Sequence, residues 1–208
     1  MWGRRRLAQA VINSMAYYER RLPHWHVDGA RLFITWRLQG SFPSVGHPSV
    51  GQASGLSGSQ SGRAFVAMDQ ALSSGPHWLS DERVARVMAD TLRYGEEKLR
   101  LYRLRAWVLM SNHAHILTHP HCDIPRITKA IKNYSARQAT AILGRTGKPF
   151  WLDESDDHWV RSPEELEEIV RYIETNSCSA GLVEQPEARR WSSAWAGPET
   201  CPTEVTNA

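Results

Sequence analysis

Cysteines, long apolar runs and, in most of the chain, acidic residues are scarce, and each scarcity limits what the protein can be. Three cysteines far apart in 208 residues (Cys122, Cys178 and Cys201) argue against a disulfide-stapled scaffold and favour a reducing compartment. No apolar run approaches the roughly 20 residues that cross a bilayer. No apolar segment of a secretory signal follows the basic first six residues. We therefore expect a cytoplasmic protein with no membrane partner.

The scarcity of acidic residues is confined to the first three quarters of the chain. Residues 1–151 hold 21 lysines and arginines against 9 aspartates and glutamates, whereas residues 152–208 hold 4 against 13. The net charges of the two parts are therefore +12 and −9. A positive excess of this size favours a polyanionic partner, most simply a nucleic acid. Solvated arginine-rich faces are the alternative interpretation.

The order of predicted elements indicates the fold class. Hydrophobic spacing and turn residues predict a basic amphipathic helix over residues 1–22, a strand over 31–38 and a helix from 80 to about 99. Next come a hairpin of strands over 102–110 and 113–118, a helix capped by Asp123, a short strand over 158–161 and a helix capped by Ser162. This β-α-β-β-α-β order predicts an α+β, ferredoxin-like antiparallel sheet with helices on one face, plus added helical segments at the N and C termini.

A Gly/Ser-rich stretch interrupts the chain at residues 40–62, where 13 of 23 positions are Gly or Ser. Such a composition predicts a flexible insertion rather than a packed element. Because residues 1–39 are too few to enclose a core alone, we expect one domain over residues 1–195. Residues 196–208 are expected to form an irregular tail.

Two histidines, His113 and His115, flank one alanine on a predicted strand, and we call them the His pair. Since alternate strand residues project from the same face, two imidazoles at this spacing are placed to chelate one metal ion and to leave open positions for a substrate. Two half-buried histidines bonded to nearby carbonyls are the simpler alternative. A structural zinc site that adds His119, His121 and Cys122 is less favoured, because the spacing matches no zinc-finger pattern.

Tyr134 and Gln138 lie four residues apart on the predicted helix after Asp123, and therefore on one helix face. The apolar stripe of that helix shares this face, so both side chains are expected to point toward the sheet. A buried amide needs polar partners, and a metal on the His pair would provide one. Two imidazoles and an amide oxygen suit Mn²⁺ or Mg²⁺ completed by phosphate oxygens and water. A core tyrosine with a hydrogen-bonded hydroxyl is the alternative for Tyr134.

Basic residues surround these candidates. On and after the Tyr134 helix lie Arg126, Lys129, Lys132, Arg137, Arg145 and Lys148, and the N-terminal segment adds Arg4, Arg5 and Arg6. Phosphate neutralisation by such residues supplies affinity that does not depend on base sequence. We therefore assign these residues to nucleic-acid binding.

Several separated segments together resemble one family, the REP-associated tyrosine transposases of bacteria, which belong to the single-tyrosine HUH transposases. The segments cover most of residues 24–195. Residues 33–38 resemble the first strand of the family, residues 106–117 its strand with the His pair, and residues 132–134 with Gln138 the helix of its catalytic tyrosine. Residues 172–176 with 180–183 resemble its "YIxxNPxxAGLV" segment, and residues 191–193 match its terminal "WSS". Ser111 and Ser177 stand where the family usually has proline, and neither change removes a chemical group from the site.

The resemblance implies a metal-dependent enzyme that nicks and rejoins single-stranded DNA beside a folded hairpin. Tyr134 would attack a phosphodiester and form a covalent 5′-phosphotyrosine with a free 3′-OH. Mg²⁺ or Mn²⁺ at His113, His115 and Gln138 would polarise the phosphate, and a tyrosine hydroxyl needs such activation at neutral pH. The family also implies a bacterial, nucleoid-associated protein. Relatives of this branch suggest a monomer, while simpler single-tyrosine transposases are dimers.

Three other functions are open. The first is a non-catalytic DNA-hairpin binding protein on the same scaffold, and the second is a zinc-stabilised interaction module. The third is a metal-dependent phosphodiesterase that uses water in place of Tyr134. Metal-dependent formation of a covalent DNA adduct separates a transposase from the first two, and Tyr134→Phe would leave the rate of the third nearly intact.

Overall fold

The computed structural model describes the backbone of residues 15–19 and 23–27 and the whole of residues 30–41, 75–153 and 155–197. Within these ranges lie the strands and helices β1 Met15–Glu19, β2 Pro23–Val27, β3 Leu32–Arg37, α1 Glu82–Glu97, β4 Tyr102–Leu109, β5 His113–Pro120, α2 Ile124–Ile142, β6 Asp156–Trp159 and α3 Pro163–Ser179. Short 3₁₀ turns lie at Trp78–Ser80 and Pro186–Ala188. None of the three α-helices described is long and apolar enough to span a membrane.

Four of the strands form one antiparallel sheet in the order β4-β5-β3-β6. The chain runs through it as β3-α1-β4-β5-α2-β6, so the predicted α+β, ferredoxin-like order is confirmed. β4 and β5 form the predicted hairpin. The two central strands, β3 and β5, pair from Leu32↔Thr118 to Arg37↔His113, and β6 pairs with the other edge of β3.

The prediction of an N-terminal helix is wrong over residues 15–19. These residues form β1, which pairs antiparallel with β2 in a separate two-stranded sheet. Both segments contain the aromatic residues that favour strands, and pairing overrides the 3.6-residue spacing of the apolar positions. The rest of the predicted helix with Arg4, Arg5 and Arg6, most of the Gly/Ser-rich insertion and the tail beyond residue 197 lie outside the described residues.

One face of the sheet is apolar and is covered by α1 and α2. β3 places Leu32, Ile34 and Trp36 on this face, each 2% exposed or less, because alternate strand residues point the same way. β5 adds Ala114 and Ile116. At the three- and four-residue spacing of an amphipathic helix, the helices contribute Val84, Met88, Leu92, Ile127 and Ile131.

The opposite face carries a smaller core and is covered by α3. Phe33 on β3, Val108 on β4 and Leu117 on β5 pack there against Ile169 and Ile173. The prediction of helices on one face therefore holds for α1 and α2, while the added C-terminal helix covers the second face. On this second face, β3, β5 and β6 also place most of their buried polar side chains.

The helix starts follow the capping residues in the sequence. Asp123 and Ser162 cap α2 and α3 as predicted. α1 begins one residue later than predicted, because Asp81 rather than Ser80 accepts a backbone N–H, that of Arg83. Hydrogen bonds from Arg83 also lower the pKa of Asp81 to about 2, so the cap is ionised at neutral pH.

A glycine lies where α1, α2 and β4 meet. Gly95 on α1 faces Tyr102, whose hydroxyl donates to the backbone carbonyl of Leu92 at 2.9 Å. A β-carbon at Gly95 would collide with that hydroxyl and lie 2.9 Å from Cδ1 of Ile131. Tyr102 and Ile131 are each 1% exposed, so neither can move aside freely. This close approach explains a glycine in the interior of a helix, where glycine is otherwise disfavoured.

We expect Gly95→Ala to lower the free energy of unfolding by about 1–3 kcal/mol, the usual cost of overpacking. Helix propensity alone predicts the opposite, a gain of about 1 kcal/mol. Urea unfolding followed by circular dichroism distinguishes the two. Arg86→Ala, on the exposed side of α1, is the control and should stay within about 0.5 kcal/mol of the parent. A Gly95→Ala variant at least as stable as the parent would contradict this packing.

Candidate active site

The His pair lies on the face of the sheet that α3 covers. His113 and His115 point the same way along β5, opposite Arg37 and Thr35 of β3, and are 4% and 0% exposed. Their ring centroids are 4.7 Å apart. The strand therefore brings the two imidazoles together, as their spacing predicts.

The Nδ1 atom of each imidazole has a polar neighbour. Nδ1 of His113 lies 2.7 Å from Oδ1 of Asn112, and Nδ1 of His115 lies 2.9 Å from Oγ1 of Thr35. Since an amide oxygen only accepts hydrogen bonds, neutral His113 carries its proton on Nδ1 and its lone pair on Nε2. Neighbours of this kind fix the ring orientation and tautomer of metal-ligating histidines.

Tyr172 on α3 is a tyrosine that contacts the His pair. Its hydroxyl oxygen lies 3.4 Å from Nε2 of His115. Phe33 touches both rings, stacked on His115 and edge-on to Tyr172. One helical turn after Tyr172, Asn176 lies on the same face of α3 and is 3% exposed. This face therefore combines two imidazoles, a phenol and a carboxamide.

Tyr134 and Gln138 do not lie beside the His pair, and the expectation that Tyr134 points toward the sheet is wrong. α2 packs on the opposite face of the sheet, so the sheet separates these two residues from the His pair. The buried side of α2 passes through Ser135, whose hydroxyl accepts a hydrogen bond from Nε1 of Trp151 at 2.9 Å. That packing turns Tyr134 outward, where it is 51% exposed.

Residue spacing alone does not show which tyrosine, Tyr134 or Tyr172, lies beside the His pair. Each tyrosine is followed four residues later by a carboxamide, Asn176 in α3 and Gln138 in α2. Helical periodicity places both members of each pair on one helix face. It does not say which face of the sheet that helix will cover.

The exposed side of α2 carries a basic groove. Four residues predicted to bind nucleic acid are exposed on or after this helix: Arg126, Lys129, Arg137 and Lys148. The first three line a groove of about 770 Å³ together with Tyr134, and we call this surface the α2 groove. α2 itself contains four basic residues and no Asp or Glu. The groove is therefore a surface on which an anionic partner would meet net positive charge.

Two other residues predicted to bind nucleic acid make contacts within the protein. Lys132 is 8% exposed and donates to the carbonyls of Leu152 and Asp153 at 2.9 and 3.3 Å. It therefore tethers the loop before β6. Arg145 stacks over Trp78, with its guanidinium carbon 4.3 Å from the ring centroid.

Buried polar side chains continue from the His pair onto β6. Asp156 lies 2.7 Å from a guanidinium nitrogen of Arg37. His158 and Glu165 are 2.8 Å apart between Nε2 and Oε1. Burial lowers the pKa of His158, and the hydrogen bond and charge of Glu165 offset this only in part. His158 is therefore neutral in the folded protein at neutral pH.

The donors around Tyr172 fit a divalent ion that completes its coordination from the substrate. In the described part of the chain, no three His, Cys, Asp or Glu side chains are gathered as a metal site. The His pair brings two imidazoles, and Asn176 brings an amide oxygen on the same side of the sheet. Imidazole is a ligand of transition-metal ions, whereas amide oxygen suits Mn²⁺ or Mg²⁺. The mixed donor set thus fits Mn²⁺ better than Mg²⁺, with Asn176 in place of Gln138.

The fold is similar to that of a solved structure, a REP-associated tyrosine transposase bound to a REP hairpin. The match has a TM-score of 0.51 and 20% sequence identity, and it covers 86% of this chain and 82% of the other. This is the family that the sequence segments resemble, so the motifs and the fold agree. No family model matches the sequence, and no curated protein matches it.

Acidification is expected to destabilise the protein through His158. Because burial lowers the pKa of His158 in the folded state, the unfolded chain binds the proton first, near the ordinary value of about 6.5. The stabilisation that comes from neutral His158 is therefore fully present above about pH 7, and it is lost as the pH falls toward the folded-state pKa of His158. His158→Gln keeps an N–H donor for Glu165 but does not titrate.

The measurement is urea unfolding of the parent and of His158→Gln at about pH 7.5 and about pH 5.5. The parent should lose more stability between these conditions than the variant, because the other titrating groups are common to both. Equal losses would show that His158 does not control acid stability.

Proposed function

We propose that this protein is a metal-dependent enzyme that nicks and transfers single-stranded DNA beside a hairpin, with Tyr172 as its nucleophile. The observation that carries the proposal is the 3.4 Å separation between the hydroxyl oxygen of Tyr172 and Nε2 of His115. It puts a side chain that can form a phosphotyrosine against side chains that can hold the ion. Similarity to a transposase bound to a REP hairpin supports a DNA hairpin as the substrate.

The covalent step starts from the Tyr172 hydroxyl. Its oxygen attacks the phosphorus of a phosphodiester, so that a bond from phosphorus to tyrosine forms and the bond to the 3′ oxygen breaks. The phenol loses one proton and the departing 3′ oxygen gains one, so no net proton is consumed. The 5′-phosphotyrosine retains the energy of the broken ester, and attack by a 3′-OH rejoins a strand without ATP.

The residues around Tyr172 hold the reacting groups in place. Phe33 packs against the rings of Tyr172 and His115 and limits their rotation. Asn112 and Thr35 orient the two imidazoles through contacts to their Nδ1 atoms. Side chains fixed in this way lower the barrier, because little has to rearrange in the transition state. A divalent ion on the His pair and Asn176 would supply the positive charge that polarises the scissile phosphate.

The α2 groove is proposed to bind DNA outside the cleavage site. Arg126, Lys129 and Arg137 suit phosphate contacts, which position a strand without reading its sequence. Tyr134 stands half-exposed among them, as aromatic side chains do on surfaces where unpaired bases stack. Its proposed role therefore changes from nucleophile to stacking platform. DNA that occupies both sites passes around an edge of the sheet.

Tyr172→Phe is expected to abolish covalent attachment of DNA, whereas Tyr134→Phe is expected to retain it. The first substitution removes the attacking oxygen, and the second retains a ring that can stack. The measurement is a denaturing gel of protein mixed with end-labelled single-stranded hairpin DNA and Mn²⁺, with EDTA as the metal control. His115→Ala should lose the adduct as EDTA does.

The gel separates the candidate functions. A label that migrates with the protein, needs metal and is lost in Tyr172→Phe but not in Tyr134→Phe supports the proposal. Loss in Tyr134→Phe alone would return the nucleophile to α2. Cleavage that persists in Tyr172→Phe would make water the nucleophile. Tight hairpin binding with no cleavage by the parent would indicate a non-catalytic DNA-binding protein.

Removal of basic side chains from the α2 groove is expected to weaken hairpin binding in a salt-dependent way. The binding constant K falls as salt rises, and this decline in log K against log salt concentration should become shallower by about 0.9 for each phosphate of a duplex stem that is no longer neutralised. Lys129→Ala combined with Arg137→Ala should therefore make the decline shallower by about 1.8. Fluorescence anisotropy with a labelled hairpin measures this slope, and Arg86→Ala controls for removal of charge elsewhere. An unchanged slope would place the hairpin on another surface.

A further inference from the structure

Arg37 and Asp156 form a buried ion pair within the candidate active site. A guanidinium nitrogen of Arg37 lies 2.7 Å from Oδ2 of Asp156, and the side chains are 9% and 0% exposed. Arg37 is the register partner of His113. Asp156 is the register partner of Thr35, which in turn contacts His115. The ion pair therefore extends the row of polar side chains from the His pair to β6.

Stability alone does not account for this pair. Taking two charges out of water costs about as much as their attraction returns, and well-packed apolar side chains are often at least as stable in such places. The same face of the sheet shows that alternative, since Phe33 and Leu117 pack there within the apolar layer under α3. A charged pair beside the His pair therefore points to a role for Arg37 itself.

Arg37 also has a donor that the described part of the protein does not satisfy. Its Nε–H is buried and has no hydrogen-bond acceptor among the described residues. Buried donors in folded proteins are almost always paired. A guanidinium presents five N–H groups in one plane, in a geometry that matches two oxygens of a phosphate. The N–H groups of Arg37 that do not contact Asp156 are thus suited to bind an anionic group of the substrate.

We propose that Arg37 is a catalytic residue that binds the non-bridging oxygens of the scissile phosphate, and that Asp156 is a positioning residue that sets the plane of its guanidinium. This inference rests on the proposed nicking reaction. Negative charge grows on those oxygens as the Tyr172 oxygen attacks. A fixed cation beside them stabilises the transition state more than the ground state, which is the requirement for catalysis.

The test compares two substrates in the same protein variant. One is a single-stranded hairpin oligonucleotide with a normal phosphate at the linkage that the parent cleaves, and the other has a neutral methylphosphonate at that linkage. On the normal phosphate, Arg37→Ala should slow single-turnover adduct formation by about 10²–10³-fold, the usual loss when one transition-state donor is removed. On the methylphosphonate the loss should shrink to less than about tenfold, because that linkage has no charge to neutralise.

The ratio of the two rates is taken within one preparation, so a partly unfolded variant does not distort it. If Arg37→Ala does not fold, Arg37→Gln combined with Asp156→Asn removes both charges together, and the same ratio is measured. Arg37→Lys should recover part of the rate on the normal phosphate, since it restores the charge without the planar fork. Arg86→Ala should slow neither substrate.

Asp156→Asn tests the positioning role. It should slow the parent on the normal phosphate by about tenfold and have little effect once Arg37 is alanine, because residues that act through one another are not additive. Additive losses, or equal losses by Arg37→Ala on the two substrates, would overturn the inference and leave a structural ion pair. If the parent is active and Arg37→Ala forms the adduct equally fast, this inference is overturned but the proposed function is not. A parent that forms no adduct would overturn the proposed function as well.

Discussion

The alternation of side chains along β3 and β5 is the constraint on which the rest of the structure depends. Leu32, Ile34 and Trp36 of β3 and Ala114 and Ile116 of β5 are apolar and build the core under α1 and α2. The odd-numbered residues Thr35, Arg37, His113 and His115 face α3 instead. A slip of one residue in register would exchange the two sets and bury the polar row in the larger core. The requirement to bury Leu32, Ile34 and Trp36 and their β5 neighbours therefore also fixes where the His pair lies.

The sheet divides two tasks between its faces. Under α3, the His pair and Asn176 are buried and Tyr172 is partly buried, which suits chemistry that depends on fixed geometry and low dielectric. Across the sheet, α2 presents basic side chains and Tyr134 to solvent, which suits sequence-independent affinity for a polyanion. The sheet and the apolar core under α2 separate the two surfaces. In this account, hairpin binding and strand cleavage are properties of different helices, and each can be altered without the other.

The features that could be predicted from the sequence depend on local spacing, and those that could not depend on long-range packing. The β-α-β-β-α-β order, the hairpin, the Asp123 and Ser162 caps and the shared orientation of His113 and His115 all follow from patterns within a few residues. The tyrosine that contacts the His pair could not be predicted from such patterns, because two helices each contain a tyrosine followed four residues later by a carboxamide. The packing of α2 on the sheet through Ile127, Ile131 and Ser135 turns the first tyrosine away. Lys132 resembles the other basic residues of α2 in sequence, yet the carbonyls that it contacts lie 20 and 21 residues further along the chain.

The most direct test of the account is to identify the tyrosine that becomes attached to DNA. Trypsin separates the two candidates, because Arg171 precedes Tyr172 and Lys132 precedes the Tyr134 segment, so that the peptides span residues 172–189 and 133–137. After reaction with a hairpin substrate and nuclease trimming, mass spectrometry should find the residual 5′-nucleotide on peptide 172–189, at Tyr172. The same mass on peptide 133–137 would show that the nucleophile lies on α2, and would contradict the assignment of the active site to the face of the sheet under α3.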